Sequence, residues 1–291
     1  MGIFDAVIQA VVQGLTEFLP VSSSGHLSLT QHFLGVNGES AVMLSIILHL
    51  GTLLAVFVAY YKTIWELIKE VGYSVRDIFT GNFHFKEMSE NRRLLVMLIV
   101  ATLPLCLFYF IKDPIKGVSS DESIFIEGLC FLYTGVILFL SDRFGRGKKK
   151  VGEIKARDAV TIGVFQGIAL LPGVSRSGST IAGGLFCGLS RATAVKFSFL
   201  MSIPPILAGA LTEFMDYKDS AETIDAMPLV IGFIIAAIVG FLAIKLVRWL
   251  VKTDKFKIFA YYTLALGVVV IIISIIEAVN GGANIVALLS R

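Results

Sequence analysis

The sequence predicts an all-α polytopic membrane protein, with six transmembrane helices plus two re-entrant helix–loop–helix segments in an inverted-topology repeat. Three observations carry this prediction: a strongly apolar composition, six apolar runs of spanning length, and a thirteen-residue segment that recurs in altered form 153 residues later.

Of the 291 residues 56% are apolar and 16% charged, with mean hydropathy +0.82. Soluble domains carry charge on about a quarter of their residues, so this composition excludes an ordinary soluble enzyme. Runs at 41–61, 94–111, 124–140, 192–214, 228–250 and 258–276 are each long enough to cross a bilayer, which takes about 17–25 residues. No alternating ten-residue pattern points to a barrel. The first five residues lack a basic n-region, so a cleaved signal peptide is not expected. Cys106, Cys130 and Cys187 lie in apolar segments without metal-type spacing and read as core filler.

The recurring segment is Gln13-Gly14-Leu15-Thr16-Glu17-Phe18-Leu19-Pro20-Val21-Ser22-Ser23-Ser24-Gly25, which aligns without a gap on Gln166-Gly167-Ile168-Ala169-Leu170-Leu171-Pro172-Gly173-Val174-Ser175-Arg176-Ser177-Gly178. Each copy follows an apolar run (4–19 and 160–171) and precedes a shorter one (27–34 and 180–189). Either run alone is too short for a comfortable crossing. A polar loop facing lipid would leave backbone groups unsatisfied, at several kcal/mol each. A helix–loop–helix that returns to its own side, buried against other helices, meets both constraints.

Three full spans then separate the two loops, an odd number, so the second half inserts upside down relative to the first, as in many transporter folds. The chain reads as one integral-membrane domain, with repeat one at 1–141, a basic linker at 142–156 and repeat two at 157–291. Twenty Lys and Arg residues fall on one side of this topology and four, Lys112, Lys116, Lys218 and Arg291, on the other. The positive-inside rule places the basic side in the cytoplasm and both termini outside. The net charge of +3 is explained by topology. Lys148, Lys149 and Lys150 read as a topology signal and a surface for anionic lipid, and no nucleic-acid partner is expected.

The two copies differ where chemistry is possible. Glu17 and His26 belong to the first only, Arg176 to the second only. An ionisable group inside a membrane is costly and by default functional. A guanidinium beside Ser175, Ser177, Ser179 and Thr180 at the start of a helix suits phosphate; the structural alternative is an ion pair that holds two helices together. Glu17, one turn after Gln13, can take a proton or offer oxygen to a divalent cation, or pair with Arg176 across the repeat interface. His26, beside three serines, suits proton transfer or covalent capture. His49 reads as a packing or pore-lining residue, and His32 and His84 carry no motif. Glu127, Glu213 and Glu277 read as snorkelling groups near span ends.

Gln13 to His26 resembles the glutamate-rich first motif of the bacitracin-resistance (BacA-type) undecaprenyl-diphosphate phosphatases. Pro172-Gly173-Val174-Ser175-Arg176-Ser177-Gly178-Ser179-Thr180 matches that family's second motif. The motifs are long and in the expected order, and the span pattern agrees along the whole chain. The leading acid of the first motif is Gln13 here, which implies an orienting role for it and not that of an essential base. The resemblance implies hydrolysis of undecaprenyl diphosphate to the monophosphate, recycling the lipid carrier for peptidoglycan and giving bacitracin resistance. It also implies a Mg or Ca ion, a polyprenyl diphosphate lipid as partner, and a multi-pass place in the bacterial cytoplasmic (inner) membrane with the site open to its outer face.

Carried over by position, Arg176 holds the diphosphate and Glu17 binds the metal or acts as base. Ser23 or His26 is the nucleophile, with the other assisting proton transfer, unless water attacks directly. Gln13, Ser22, Ser24, Ser175, Ser177 and Thr180 contact the substrate. An anion or lipid transporter is the competing class, since the repeat pattern alone does not exclude it; pure transport would not require a Ser/His pair. A scaffold whose Gly/Ser loops merely pack is the blandest reading. The sequence leaves the oligomeric state open, a homodimer included.

Overall fold

A computed structural model describes residues 2–36, 38–82, 84, 88–109, 124–171, 173–217, 225–252, 255–282 and 284–289. Pro172 of the second motif and the topology charges Lys86, Lys112, Lys116, Lys218 and Arg291 lie outside the described residues, as does the end of the 94–111 run.

Among the described residues the elements are helices, apart from one isolated bridge between Lys149 and Leu189. In chain order they are α1 (Ile3–Phe18), α2 (Ser23–Leu34), α3 (Glu39–Ala59), α4 (Tyr61–Phe79), α5 (Glu90–Tyr109), α6 (Phe125–Phe144), a 3₁₀ turn (Val151–Glu153), α7 (Ala156–Ile168), α8 (Arg176–Phe186), α9 (Arg191–Met201), α10 (Ile203–Tyr217), α11 (Ala226–Lys252), α12 (Ile258–Val279) and α13 (Ile285–Leu289).

Among the described residues six helical stretches are long and apolar enough to cross a membrane: Ser40–Ala59, Glu90–Phe108, Phe125–Phe144, Arg191–Met215, Ala226–Lys252 and Ile258–Val279. They coincide with the six runs expected from the sequence, and the chain is a multi-pass membrane protein. Large apolar side chains point outward along them, among them Phe57 and Val58 on α3, Leu103 and Leu107 on α5, and Val268 and Ile272 on α12. A contiguous exposed apolar surface on this scale has lipid as its natural solvent. The fourth stretch is not one straight helix: it breaks between α9 and α10 at Ser202, just before Pro204 and Pro205. Proline lacks the amide an unbroken helix needs there.

Each copy of the recurring segment folds as a helical hairpin, α1 on α2 and α7 on α8. At 1.5 Å per residue α1 is about 24 Å long and α8 about 17 Å, short of the ~30 Å hydrocarbon core. The pairings cross between halves. α1 packs on α11, α7 packs on α5, and α6 lies against α12. Close approach of α3 to α11 depends on Gly51, where a Cβ would stand 2.6 Å from the carbonyl oxygen of Phe233. The largest core cluster joins residues of both halves, including Phe18, Val56, Leu138, Ile181, Phe197, Phe199 and Ile244.

Several expectations are corrected. The segment after the first span, which contributes Lys62, Lys69 and Arg76 to the basic side, is not a mere connection but the helix α4. Its Tyr61, Trp65, Ile68, Val75 and Phe79 form an exposed apolar stripe, while Ile64 and Ser74 are buried and Leu67 packs partly buried against the core. Such a helix gains stability by lying in a membrane interface. Lys149 is not a free surface cation: its Nζ donates to Asp158 Oδ2 at 3.0 Å and to Cys187 O at 2.7 Å. Glu277 does not snorkel. It is buried, pairs with His32 Nε2 at 3.1 Å and accepts the amide of Ile285 at 2.7 Å. Glu127 accepts from Ser28 Oγ at 2.9 Å. Of the cysteines, Cys130 is buried while Cys106 is exposed on α5.

Candidate active site

Both copies of the recurring segment converge on Glu17, in the last turn of α1, with a side chain only 1% exposed. Gln13, one turn earlier, donates from Nε2 to Glu17 Oε2 at 2.8 Å. Ser23, first residue of α2, donates from Oγ to the same oxygen at 2.7 Å. Arg176, first residue of α8, donates from Nη2 to Glu17 Oε1. Ser23 and Arg176 occupy the same position of the two copies, so one carboxylate binds equivalent residues from both.

The same local chemistry starts both helices. Ser22 caps α2 by accepting the amide of Gly25 at 3.2 Å, and Ser175 caps α8 by accepting that of Gly178 at 3.0 Å. A side-chain cap satisfies one of the orphan amides of a helix start. Ser22 has φ 75°, the one positive value among the described non-glycine residues. That conformation costs about 1–3 kcal/mol and is typical of functional turns. It turns the Ser22 carbonyl toward His26, whose amide and Nδ1 both donate to it, at 3.2 and 2.7 Å. The loops also hold each other. Gly173, at φ 90°, donates its amide to Ser24 Oγ at 3.3 Å, and Ser177 Oγ donates to Leu19 O at 3.1 Å.

A cavity of about 590 Å³ opens beside the two loops. Its polar wall includes Ser23, Ser24, His49, Gln166, Arg176 and Glu213, and its apolar wall includes Leu27, Val42, Leu105 and Leu171. A concave apolar site with a few convergent polar groups is the usual form of a small-molecule site.

The expected site residues divide into two groups. Ser23, Ser24 and Arg176 line the cavity, and Glu17 stands directly behind Ser23 and Arg176. Gln13, Ser22, Ser175, Ser177 and Thr180 are buried and absent from the cavity wall. Their bonds run to the protein: Thr180 Oγ1 meets Ser198 Oγ at 2.6 Å, and the Ser175 amide donates to Thr134 Oγ1 at 3.2 Å. His26 also faces away from the cavity. It stacks on Tyr262, ring centroids 5.7 Å apart, and contacts Phe131 edge-on. Because a carbonyl only accepts, Nδ1 carries the proton in the bond to Ser22, and Nε2 accepts from Tyr262 Oη at 2.7 Å in the neutral ring.

Two further residues line the site: His49, read from sequence as a packing or pore-lining residue, and Gln166, which sequence reasoning did not single out. His49 Nε2 lies 3.8 Å from Glu17 Oε2, while its Nδ1 donates to Ser45 O at 2.8 Å. The available signal was an ionisable side chain inside an apolar span. Gln166 is the counterpart of Gln13. It is 2% exposed and lines the cavity, yet neither its amide oxygen nor its nitrogen has a partner among the described residues. Its place in the repeat, with Leu170 standing where the first copy has Glu17, was visible in the sequence; that its amide is left without a partner at the cavity wall was not.

Among the described residues no three His, Cys, Asp or Glu side chains cluster in a way that could hold a metal ion. Both oxygens of Glu17 are engaged. A hard cation could be held here by Glu17 together with phosphate oxygens of a substrate, which is how Mg²⁺ usually binds.

A family model described as bacitracin resistance protein BacA matches residues 6–269. The chain is 40% identical over 278 residues to an undecaprenyl-diphosphatase of Alkaliphilus metalliredigens, covering 95% of this chain and 100% of that one. It is 38% identical over 282 residues to an undecaprenyl-diphosphatase of Methanosphaera stadtmanae, covering 95% and 99%. A third relative, undecaprenyl-diphosphatase 4 of Bacillus thuringiensis subsp. konkukian, is 37% identical over 273 residues, covering 93% and 97%. With the family model matched along most of its length, and relatives of this similarity aligned end to end, the chain belongs to the bacitracin resistance protein BacA family.

Proposed function

We propose that this protein hydrolyses undecaprenyl diphosphate to undecaprenyl phosphate and inorganic phosphate within the membrane, recycling a lipid carrier for peptidoglycan synthesis and so conferring bacitracin resistance. The observation that carries the reading is the convergence of Glu17, Ser23 and Arg176 at the wall of one cavity, in a family whose relatives bear that activity in their names. The cavity has room for a diphosphate and the first isoprene units, and the rest of the chain would lie in lipid.

In this reaction Arg176 holds the terminal phosphate. Its guanidinium has five donors in a planar fork, enough to keep Glu17 and also bind phosphate oxygens. Ser23 Oγ attacks the terminal phosphorus while its proton passes to Glu17 Oε2. The bond from that phosphorus to the bridging oxygen breaks, and the lipid monophosphate leaves. Water then attacks the phosphoserine, the bond from phosphorus to Ser23 Oγ breaks as Glu17 returns its proton to that oxygen, and inorganic phosphate leaves carrying both protons of the water. Gln13 orients Glu17, and Ser24 adds a hydroxyl to the cavity wall. Ser22, Ser175, Ser177 and Thr180 act at the substrate through the loop amides and the helix starts that they hold. A Mg or Ca ion, held by Glu17 and the diphosphate, would supply charge neutralisation at the phosphate oxygens. His26 remains the competing nucleophile. Ser23 is preferred because its hydroxyl already donates to a carboxylate at the cavity, whereas both ring nitrogens of His26 are engaged elsewhere.

The assembly around this site is proposed as two inverted repeats, 1–141 and 157–291, each contributing one re-entrant hairpin, joined by the linker 142–156. Both termini lie outside, and the active site opens to the outer face of the cytoplasmic membrane. The crossed helix pairings and the twenty-to-four distribution of basic residues support this. Nothing in the arrangement requires a partner subunit, and a homodimer is compatible with it.

The decisive experiment is phosphate release from undecaprenyl diphosphate by the purified protein, followed by acid-stability analysis of the phosphorylated enzyme. Acid-stable phosphoserine at Ser23 is expected. Acid-labile phosphohistidine at His26 would reassign the nucleophile, and full activity in both Glu17→Ala and Arg176→Ala would remove the site altogether.

A further inference from the structure

A second cavity, of about 230 Å³, lies where the C-terminal end of α3 meets α4, α9 and α11. Lys62, Lys196 and Arg248 line it together with Tyr60 and Thr63, and no carboxylate is among its lining residues. Elsewhere the described basic side chains that come together have acidic partners: Arg92 has Glu70 and Asp77, Lys149 has Asp158, Arg191 has Asp142, and Arg176 has Glu17. Lys62, Lys196 and Arg248 have none among the described residues. Two of them rest on aromatic faces, Lys62 at 5.8 Å from the Tyr61 centroid and Arg248 at 5.6 Å from that of Tyr60.

Three cations brought together from remote parts of the chain repel one another, and a concave wall of low dielectric sharpens that field. A basic residue that only marks the cytoplasmic side needs no neighbour and is best left in open solvent. Convergence on one cavity, beside the hydroxyl of Thr63, is the arrangement an oxyanion relieves. The cavity is separate from the Glu17 site. Ala41 lines the first cavity and Ala59 the second, at opposite ends of α3 and about 27 Å apart at a helical rise of 1.5 Å per residue. Between them the rings of Phe18, Phe199 and Tyr60 pack edge-to-face, with centroids 5.3 and 6.3 Å apart.

We propose that Lys62, Lys196 and Arg248 form a second anion site for a phosphate group, carried by an anionic phospholipid headgroup or free as inorganic phosphate, at the end of α3 remote from the Glu17 cavity. The site does not depend on the catalytic roles assigned above. Arg248 supplies a planar fork and the two lysines point charges, a combination suited to phosphate oxygens.

Native mass spectrometry of the full-length protein in detergent tests this, with phosphatidylglycerol, phosphatidylcholine and inorganic phosphate as separate probes. Lys196→Gln/Arg248→Gln is compared with a control that removes the same charge at exposed positions elsewhere, Lys155→Gln/Lys257→Gln. Retention of phosphatidylglycerol or of phosphate is expected to fall ~10-fold or more in the first variant, the order lost with charge-assisted contacts, and to persist in the control. Phosphatidylcholine binding and diphosphate hydrolysis stay unchanged in both. Lys62→Gln, at the exposed first turn of α4, provides a third variant should the double variant fold poorly, with a smaller loss expected. Loss of lipid alone identifies a headgroup site, and loss of both probes with mutual competition identifies a site for the phosphate itself. Equal retention of both probes by the wild type, the control and the site variants would overturn the proposal.

Discussion

Arg176 and Glu17 lie 159 residues apart in the chain and are joined by a hydrogen-bonded ion pair, each contributed by a different copy of the same recurring segment. The pair does two things at once. It ties the last turn of α1 to the start of α8, and it sets a guanidinium at the edge of the cavity that contains Ser23. Removing either partner strands the other: an unpaired buried charge typically costs about 3–5 kcal/mol.

Glu17→Gln and Arg176→Gln are each expected to lower kcat/KM by ~100-fold or more, the scale for losing a preorganised charged contact in phosphoryl transfer. Combining them should cost much less stability than adding the single losses, because the double variant leaves no orphan charge. Thermal unfolding in detergent and phosphate release measured on the same samples separate the two effects. Additive losses of stability would mean that the pair is not coupled.

Ser22 and Ser175 are helix caps, so their replacement should register first in stability. Ser175→Ala is expected to cost about 1 kcal/mol, the usual loss for a missing N-cap, with the larger effect on kcat, through a displaced Arg176, and a smaller one on KM. A large rise in KM with unchanged stability would instead identify the hydroxyl as a direct substrate contact. Ser175→Asp, which preserves a cap, should recover stability.

Gln166→Leu removes an amide that is buried without a partner at the cavity wall. Leaving such a group unsatisfied costs about 1–3 kcal/mol, so the substitution should leave stability unchanged or raise it. If the amide contacts bound substrate, KM should rise ~10-fold, about one lost hydrogen bond to a charged group. Unchanged KM together with lower stability would exclude that contact.

Asp77 on α4 has its carboxyl held below the ordinary range, first by the hydrogen bond from Arg92, with Arg76 adding to it. A carboxylate whose folded pKa is depressed contributes stability above its unfolded value, near 4, and that contribution is lost as the pH falls through the folded value. Docking of α4 is therefore expected to hold from pH 7 to about 5 and to loosen below ~4. Trp65 on α4 and Trp249 are the two tryptophans of the chain, so Trp65 emission in a Trp249→Phe background reports it. No change of emission between pH 7 and 3 would show that the ion pairs do not hold the helix.

Much of the architecture was legible before any coordinates. Apolar runs of spanning length mark the six crossing helices because lipid demands them, and the recurring segment marks two hairpins because its runs are too short to cross. The helix α4 was not legible in the same way: its stripe of Tyr61, Trp65, Ile68, Val75 and Phe79 is broken by charges, so a search for continuous hydrophobicity passes over it. Glu277 was misread for a related reason. Position near a span end is compatible with snorkelling, and only packing reveals His32 beside it.

Sequence alone determined the membrane class of the chain, its family, and the residue types that can perform the chemistry, since composition and motif are local properties. Which of them meet was decided by the tertiary structure. Ser23 and Arg176 converge on Glu17 because equivalent helix starts from the two copies approach one carboxylate, while His26, three residues after Ser23, turns to Tyr262 on α12 and away from the cavity. His49 joins the site from a span with no motif to announce it, and Gln166 from the recurring segment but with no acid in its own copy to mark it. Distance in space between helices is set by packing across the whole fold, and no spacing along the chain encodes it.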